Sequence, residues 1–288
     1  MTKTTHIITV LLCAFGLTAS AADPAFIVFY NSGKAVKTVN GKTFVLKKGD
    51  HLLPSDVISL PEKTRLALVC ANFNVVQLKT KAKVKVSDLL KDCSVKSTSA
   101  PSAYFKYMWS QFSHSHKAPE KDPRKYMSNF GAASRGNVLA TLVNVDTIYY
   151  YSGRLTIGWT PRSVMTVEVY DTNADKHVLL TTKPGISLKL DSVAHRIDKA
   201  GTYLWGFKDV KNPNLKSLVV LPKNEYQQLL KDILINVVET SPAETAYLSG
   251  YVLEEKRFLA DAASYYQKAF KLAPDNQIYK EAYRRFNP

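Results

Sequence analysis

Between Ala243 and Pro274 the chain reads as two helices joined by a short turn, and this stretch limits the fold more than any other. Ser241-Pro242 with Glu244 is a helix-start signal, the proline standing at the first helical position. Gly250 and Ala262 are small enough to let the helices approach closely, Tyr266 and Ala269 fill the contact, and Pro274 stops the second helix. A helical pair of this size cannot bury its apolar face alone, so it must lie on other helices, on the rest of the chain or on a partner. Upstream, Asn224 with Gln227 forms a capping box, and Tyr226, Leu229, Leu230, Ile233, Leu234 and Val237 keep one face apolar. Downstream, Gln277 to Phe286 reads as a terminal helix, with Tyr279, Ala282 and Tyr283 inward and Lys280, Arg284 and Arg285 outward.

Gly250, Ala262, Tyr266, Ala269 and Pro274 fall at the spacing of a tetratricopeptide repeat, a helix–turn–helix unit of roughly 34 residues. Residues 223–288 therefore resemble a tetratricopeptide-like helical region with one clear copy. Repeats of that family present the other face of their first helix to partner peptides. The resemblance points to Glu244, Tyr247, Tyr251 and Glu254 as partner-docking residues. The competing reading is a structural cap packed on the preceding module.

The N-terminus indicates a compartment. Lys3 supplies a positive charge, Ile7 to Leu17 an apolar stretch, and Ala19-Ser20-Ala21 a small-residue cleavage site. Residues 1–21 are expected to be a signal peptide cleaved after Ala21, which makes the mature chain periplasmic or secreted and leaves it no transmembrane span. Export leaves Cys70 and Cys93, and an oxidising compartment favours one disulfide between them over two buried thiols. The net charge is +15 in 288 residues. That excess favours weak association with anionic cell-envelope polymers, lipid headgroups or nucleic acid, and it also serves solubility alone.

Residues 24–93 read as short strands separated by turns, with Asn40-Gly41 the strongest hairpin signal and Leu66, Leu68 and Cys70 alternating onto one face. Gly49-Asp50, Leu52 or Leu53, and Asp56-Val57-Ile58 resemble the G-D-x-L-x-x-x-D-x-I segment of the FecR-type extracytoplasmic β-domain, over about Gly33 to Val86. The chain departs from that pattern at Ala71-Asn72-Phe73-Asn74, where an Asp-Gly turn is usual, and the family's cytoplasmic anti-sigma role is not carried over. Lys79, Lys81, Lys83 and Lys85 alternate with smaller residues. On one strand they make a row for an anionic partner, or a guard against edge-to-edge pairing, and a turn near Lys81-Ala82 breaks the row.

Residues 94–136 read as a helical and basic linker. Tyr104, Phe105, Met108, Trp109 and Phe112 form an aromatic stripe, and His114 with His116 lacks the further ligands a metal needs. Residues 137–222 carry eight candidate strands, the first at Asn137–Val145, spaced for an antiparallel sandwich. Leu155 to Trp159, Val167 to Tyr170 and Gly201 to Trp205 are similar to an immunoglobulin- or fibronectin-III-like domain, which implies that Trp159 and Tyr203 belong to the core.

The fold expected is multidomain α+β: a small antiparallel β-domain, an immunoglobulin-like sandwich and a C-terminal helical hairpin region. The chain holds no G-x-S-x-G elbow, H-E-x-x-H helix or phosphate-binding glycine loop. The expected function is a non-enzymatic, cofactor-free envelope protein that docks a protein or peptide through its helical end and basic β-faces, without nucleic acid. The alternatives are a polymer- or glycan-binding module, and an enzyme whose site is assembled across domains.

Overall fold

The computed structural model describes residues 24–39, 41–79, 82–94, 105, 145–159, 164–172, 177–197, 199–208, 210, 215–235 and 237–287. The expected signal peptide, Lys81, the histidine pair and most of the expected linker lie outside them, as do the expected aromatic stripe except Phe105 and the strand expected at Asn137–Val145 except Val145. The described chain is α+β, with strands first and helices at the C-terminal end.

Eight strands form the N-terminal module: β1 (Phe26–Asn31), β2 (Val36–Val39), β3 (Lys42–Val45), β4 (His51–Leu52), β5 (Val57–Leu60), β6 (Leu66–Cys70), β7 (Val75–Leu78) and β8 (Ala82–Lys85). They make two antiparallel sheets, ordered β4-β1-β6-β7 and β3-β2-β5-β8. Between them Phe26, Val28, Leu52, Ile58, Leu66, Leu68 and Cys70 pack into one core. Gly41 takes the positive φ that the tight β2–β3 turn requires. Two aspartates of the Gly-Asp motif act on the backbone: Asp50 accepts from the Lys47 N–H at 2.8 Å and Asp56 from the Leu53 N–H at 2.9 Å. Each therefore fixes a turn that the strands alone leave open. A 3₁₀ helix, Val86–Ser94, follows β8, and a disulfide joins its Cys93 to Cys70 at the end of β6, with a Cα separation of 6.0 Å.

The alternation expected in β6 holds, but its other face is buried as well. Ala67 and Val69, with Phe29 of β1, enter a second core shared with the middle module and the helices. The first sheet is thus covered on both sides, and the modules are joined by packing.

The middle module contains β9 (Thr147–Tyr150), β10 (Thr156–Gly158), β11 (Val167–Asp171), β12 (Val178–Thr181), β13 (Ser187–Lys189), β14 (Gly201–Phe207) and β15 (Lys216–Val220). Five of them order as β12-β11-β14-β15-β9, and β10 pairs with β13. The expected all-antiparallel arrangement is corrected at β9, which lies parallel to β15. A short helix, α1 (Leu190–Ala194), was absent from the sequence reading; it forms because Leu190 and Val193, three apart, both face the core. Trp159 is buried edge-on to Phe207, and the Tyr203 O–H donates to the Lys199 carbonyl at 2.7 Å.

Four helices close the chain: α2 (Lys223–Leu234), α3 (Pro242–Glu255), α4 (Leu259–Leu272) and α5 (Gln277–Arg285). The capping box at Asn224 does not form, because α2 already begins at Lys223 behind Pro222. Ser241 does cap α3, its hydroxyl accepting from the Glu244 N–H at 3.3 Å. A Cβ built on Gly250 would lie 2.8 Å from the Tyr266 ring and 3.2 Å from the Ala262 carbonyl, so only glycine allows α3 and α4 to approach this closely.

Candidate interaction surfaces

The four residues expected to face a partner on α3 face the chain itself. Glu244, Tyr247, Tyr251 and Glu254 are exposed by only 7, 2, 3 and 2 %. The docking face implied by the tetratricopeptide resemblance is therefore corrected: neighbouring elements of the same chain occupy it. The Lys48 ammonium lies 2.9 Å from the Glu244 carboxylate and sits over the Phe29 ring. Tyr247 stacks on Tyr279 of α5 and packs against Tyr266 of α4. Burial raises the Tyr251 phenol pKa, and the Glu255 carboxylate that accepts its hydrogen bond raises it further.

Glu254 is engaged by two other helices. Arg285 donates through Nη1 and Nη2 to its two carboxylate oxygens at 2.9 and 2.8 Å, and the Tyr266 O–H donates at 2.6 Å. Arg285 is itself corrected, from outward to inward. It follows Ala282 by three residues, so it turns toward α3 beside Phe286. Complete burial holds the Tyr266 phenol well above its ordinary pKa, so it remains the donor. With both oxygens matched by a cation and a hydroxyl, this cluster is suited to holding three helices together.

A second group joins the middle module to the helices. The Tyr149 N–H donates to the Arg257 carbonyl at 3.0 Å, and Tyr149 and Tyr226 both pack on Phe258. The Tyr226 O–H donates to the Asp261 carboxylate. Burial raises the Asp261 pKa above that of an ordinary carboxyl, and it raises Tyr150 to about 12.

The lysine row does not lie on one strand. Lys79 follows β7 in the first sheet, Lys83 and Lys85 stand on β8 in the second, and Lys81 lies outside the described residues. The chain crosses between sheets at this point, so the alternation stops being a single-strand property. Lys79 is 3.5 Å from Glu239, which also binds Arg65 at 2.7 Å. Lys83 and Lys85 stay exposed on an edge strand, opposite Ser59 and Val57. Sequence reasoning missed Lys48, Arg65 and Glu239 as partners across modules, because pairs so distant in the chain leave no local spacing to read.

Among the described residues, no group of three histidine, cysteine or carboxylate side chains is placed to hold a metal ion. No described helix is long and apolar enough to cross a membrane. No protein-family model matches the chain, and no curated protein matches it.

Proposed function

We propose that this chain is a non-catalytic, exported cell-envelope interaction or scaffold protein. In this reading residues 24–93 are a FecR-like β-domain, residues 137–222 an immunoglobulin-like sandwich and residues 223–288 a tetratricopeptide-like cap. One observation carries it. Two buried carboxylates, Glu254 and Glu244, are matched by cations of the same chain, while the lysines of β8 and the apolar residues of β3 face outward. The Lys48–Glu244 pair ties the N-terminal module to the helices, the Arg285–Glu254 pair ties helices to one another, and the exposed strands remain to meet other molecules.

The module assignments have their own support. An edge strand parallel to the last strand, a separate two-stranded sheet, and a tyrosine hydroxyl bonded to the backbone four residues upstream all fit an immunoglobulin-like domain. The close Gly250–Tyr266 contact fits a tetratricopeptide hairpin. With α3 buried, the helical end acts as the cap and the β-faces as the docking elements.

The test is site-specific photocrosslinking in the native host, with the crosslinker at Lys83, at Thr43 or at a remote exposed site. A discrete adduct from the β-domain positions alone supports the proposal; adducts independent of position refute it. The second reading, an anionic polymer partner, is favoured by Lys83 and Lys85 standing together on one face. Salt-sensitive co-sedimentation with an acidic envelope polymer, lost in the Lys83→Glu/Lys85→Glu variant, would establish that instead.

A further inference from the structure

The sheet edges of this protein are not treated alike. β8 carries Lys83 and Lys85, β4 is only two residues long, and β7 runs into Lys79. β9 is covered where Tyr149 bonds to Arg257, and the pairing of β12 with β11 is broken by a bulge. Lysines, shortness, cover and bulges are the usual means of blunting an edge. β10 and β13 have three residues each. β3 carries one lysine, Lys42, at its turn end, and no lysine, bulge or cover between Thr43 and Val45 among the described residues. Its pairing with β2 is regular throughout, and no other described segment pairs with it.

The backbone pattern shows which groups are available. Leu46 donates to Ala35 at 2.9 Å, so Ala35–Leu46 is a hydrogen-bonded pair. Antiparallel pairs alternate, and Lys37–Phe44 and Val39–Lys42 are therefore bonded likewise. Thr43 and Val45 fall between them, with their N–H and C=O groups directed away from β2 toward the open edge. Phe44 is 49 % exposed and Val45 55 %. The hairpin bearing this edge, Lys34 to Lys48, contains no carboxylate and five lysines, of which Lys48 already pairs with Glu244 and Lys34, Lys37, Lys42 and Lys47 have no ion pair within the described residues.

We infer that β3 is a strand-addition site for an extended partner segment that alternates apolar and acidic residues. This rests on the interaction-protein reading and names the surface and the partner chemistry. The incoming strand exchanges backbone hydrogen bonds with Thr43 and Val45, lays its apolar side chains along the face of Thr43 and Val45, and sets its carboxylates on the opposite face, that of Lys42 and Phe44. A second copy is the less favoured occupant, because it brings another carboxylate-free, lysine-rich hairpin to the same edge.

The probe is an eight-residue peptide alternating valine and glutamate, titrated against the mature chain. Controls are the same peptide N-methylated at every amide, a valine–lysine peptide and polyglutamate. Thr43→Pro removes an outward N–H while leaving the bonds to β2 intact, a substitution that edge strands tolerate. The valine–glutamate peptide is expected to bind, and Thr43→Pro to weaken it about tenfold or more, the loss of one or two net hydrogen bonds. The N-methylated peptide, used on the unaltered protein, tests the same point should that variant fold poorly.

Equal binding of the N-methylated peptide, of the valine–lysine peptide or of polyglutamate overturns the inference. Absence of valine–glutamate binding, or an unaffected Thr43→Pro variant, also overturns it. Self-association that Thr43→Pro abolishes assigns the edge to a second copy and overturns the acidic partner. Where one of these results removes the edge assignment, host crosslinks at Lys83, on the opposite edge of the same sheet, test the scaffold reading separately.

Discussion

Arg285 forks onto Glu254, with its two terminal nitrogens 2.9 and 2.8 Å from the two carboxylate oxygens. The pair links the last helix of the chain to α3, and the Tyr266 hydroxyl from α4 completes it. Three helices thereby share one charge pair, and Lys48 and Tyr279 cover the same face of α3 at Glu244 and Tyr247.

Removing one member of this pair leaves the other charge uncompensated. Arg285→Leu is expected to cost about 3 kcal/mol, since Glu254 is then buried without its cation. Replacing both, as Glu254→Met/Arg285→Leu, should recover most of that loss. Urea denaturation of the two single variants and the double variant closes the cycle; additive losses would mean that the residues act independently.

Gly250→Ala places a methyl against the Tyr266 ring and the Ala262 carbonyl. The helices must separate, at a cost of about 1–3 kcal/mol. Thermal unfolding reads it directly, and an unchanged Tm would show that the close contact between α3 and α4 is not required.

Arg257 has φ +70 and ends α3 in a left-handed turn. The Phe258 N–H bonds to the Leu253 carbonyl and the Arg257 N–H to the Glu254 carbonyl, a helix stop that favours glycine at the Arg257 position. Arg257→Gly is therefore expected to stabilise by about 0.5–1 kcal/mol, the relief of strain exceeding the entropy added to the unfolded chain. Calorimetry should register a higher Tm; a lower one would indicate that the Arg257 side chain contributes more than its backbone strain removes.

Burial raises the Asp261 pKa above its unfolded value near 3.8. The stability this carboxyl contributes is complete below that value and is lost as pH rises through the raised folded value. The amide introduced by Asp261→Asn cannot ionise and still accepts from the Tyr226 hydroxyl. The stability difference between this variant and the unaltered protein should accordingly shift in favour of the variant as pH increases from about 4 to about 8. A difference that is flat across that range, measured by denaturant titration, would remove Asp261 from the pH response.

Much of the local structure was legible in the residues. The Asn40-Gly41 hairpin signal, the alternation in β6, the start of α3 at Ser241-Pro242 and the need for glycine at position 250 each follow from one stretch of chain. Cys70 and Cys93 bond because β6 and the 3₁₀ helix that follows β8 bring them together. The lysine alternation misled, because it continued through a change of sheet. The outward placement of Arg285 misled because a long cationic side chain at the flank of an apolar stripe can reach either way.

Periodicity, caps and turn residues act within a few positions, and by themselves they determined the order and type of the elements: strands, then a strand-rich middle, then helices. Which faces stayed open was decided only by the tertiary structure. The same spacing that marks Glu244, Tyr247, Tyr251 and Glu254 as one face is compatible with a partner or with the chain's own α5 and Lys48 against it. Burial depends on contacts between residues as far apart as Lys48 and Glu244, and no local pattern encodes them.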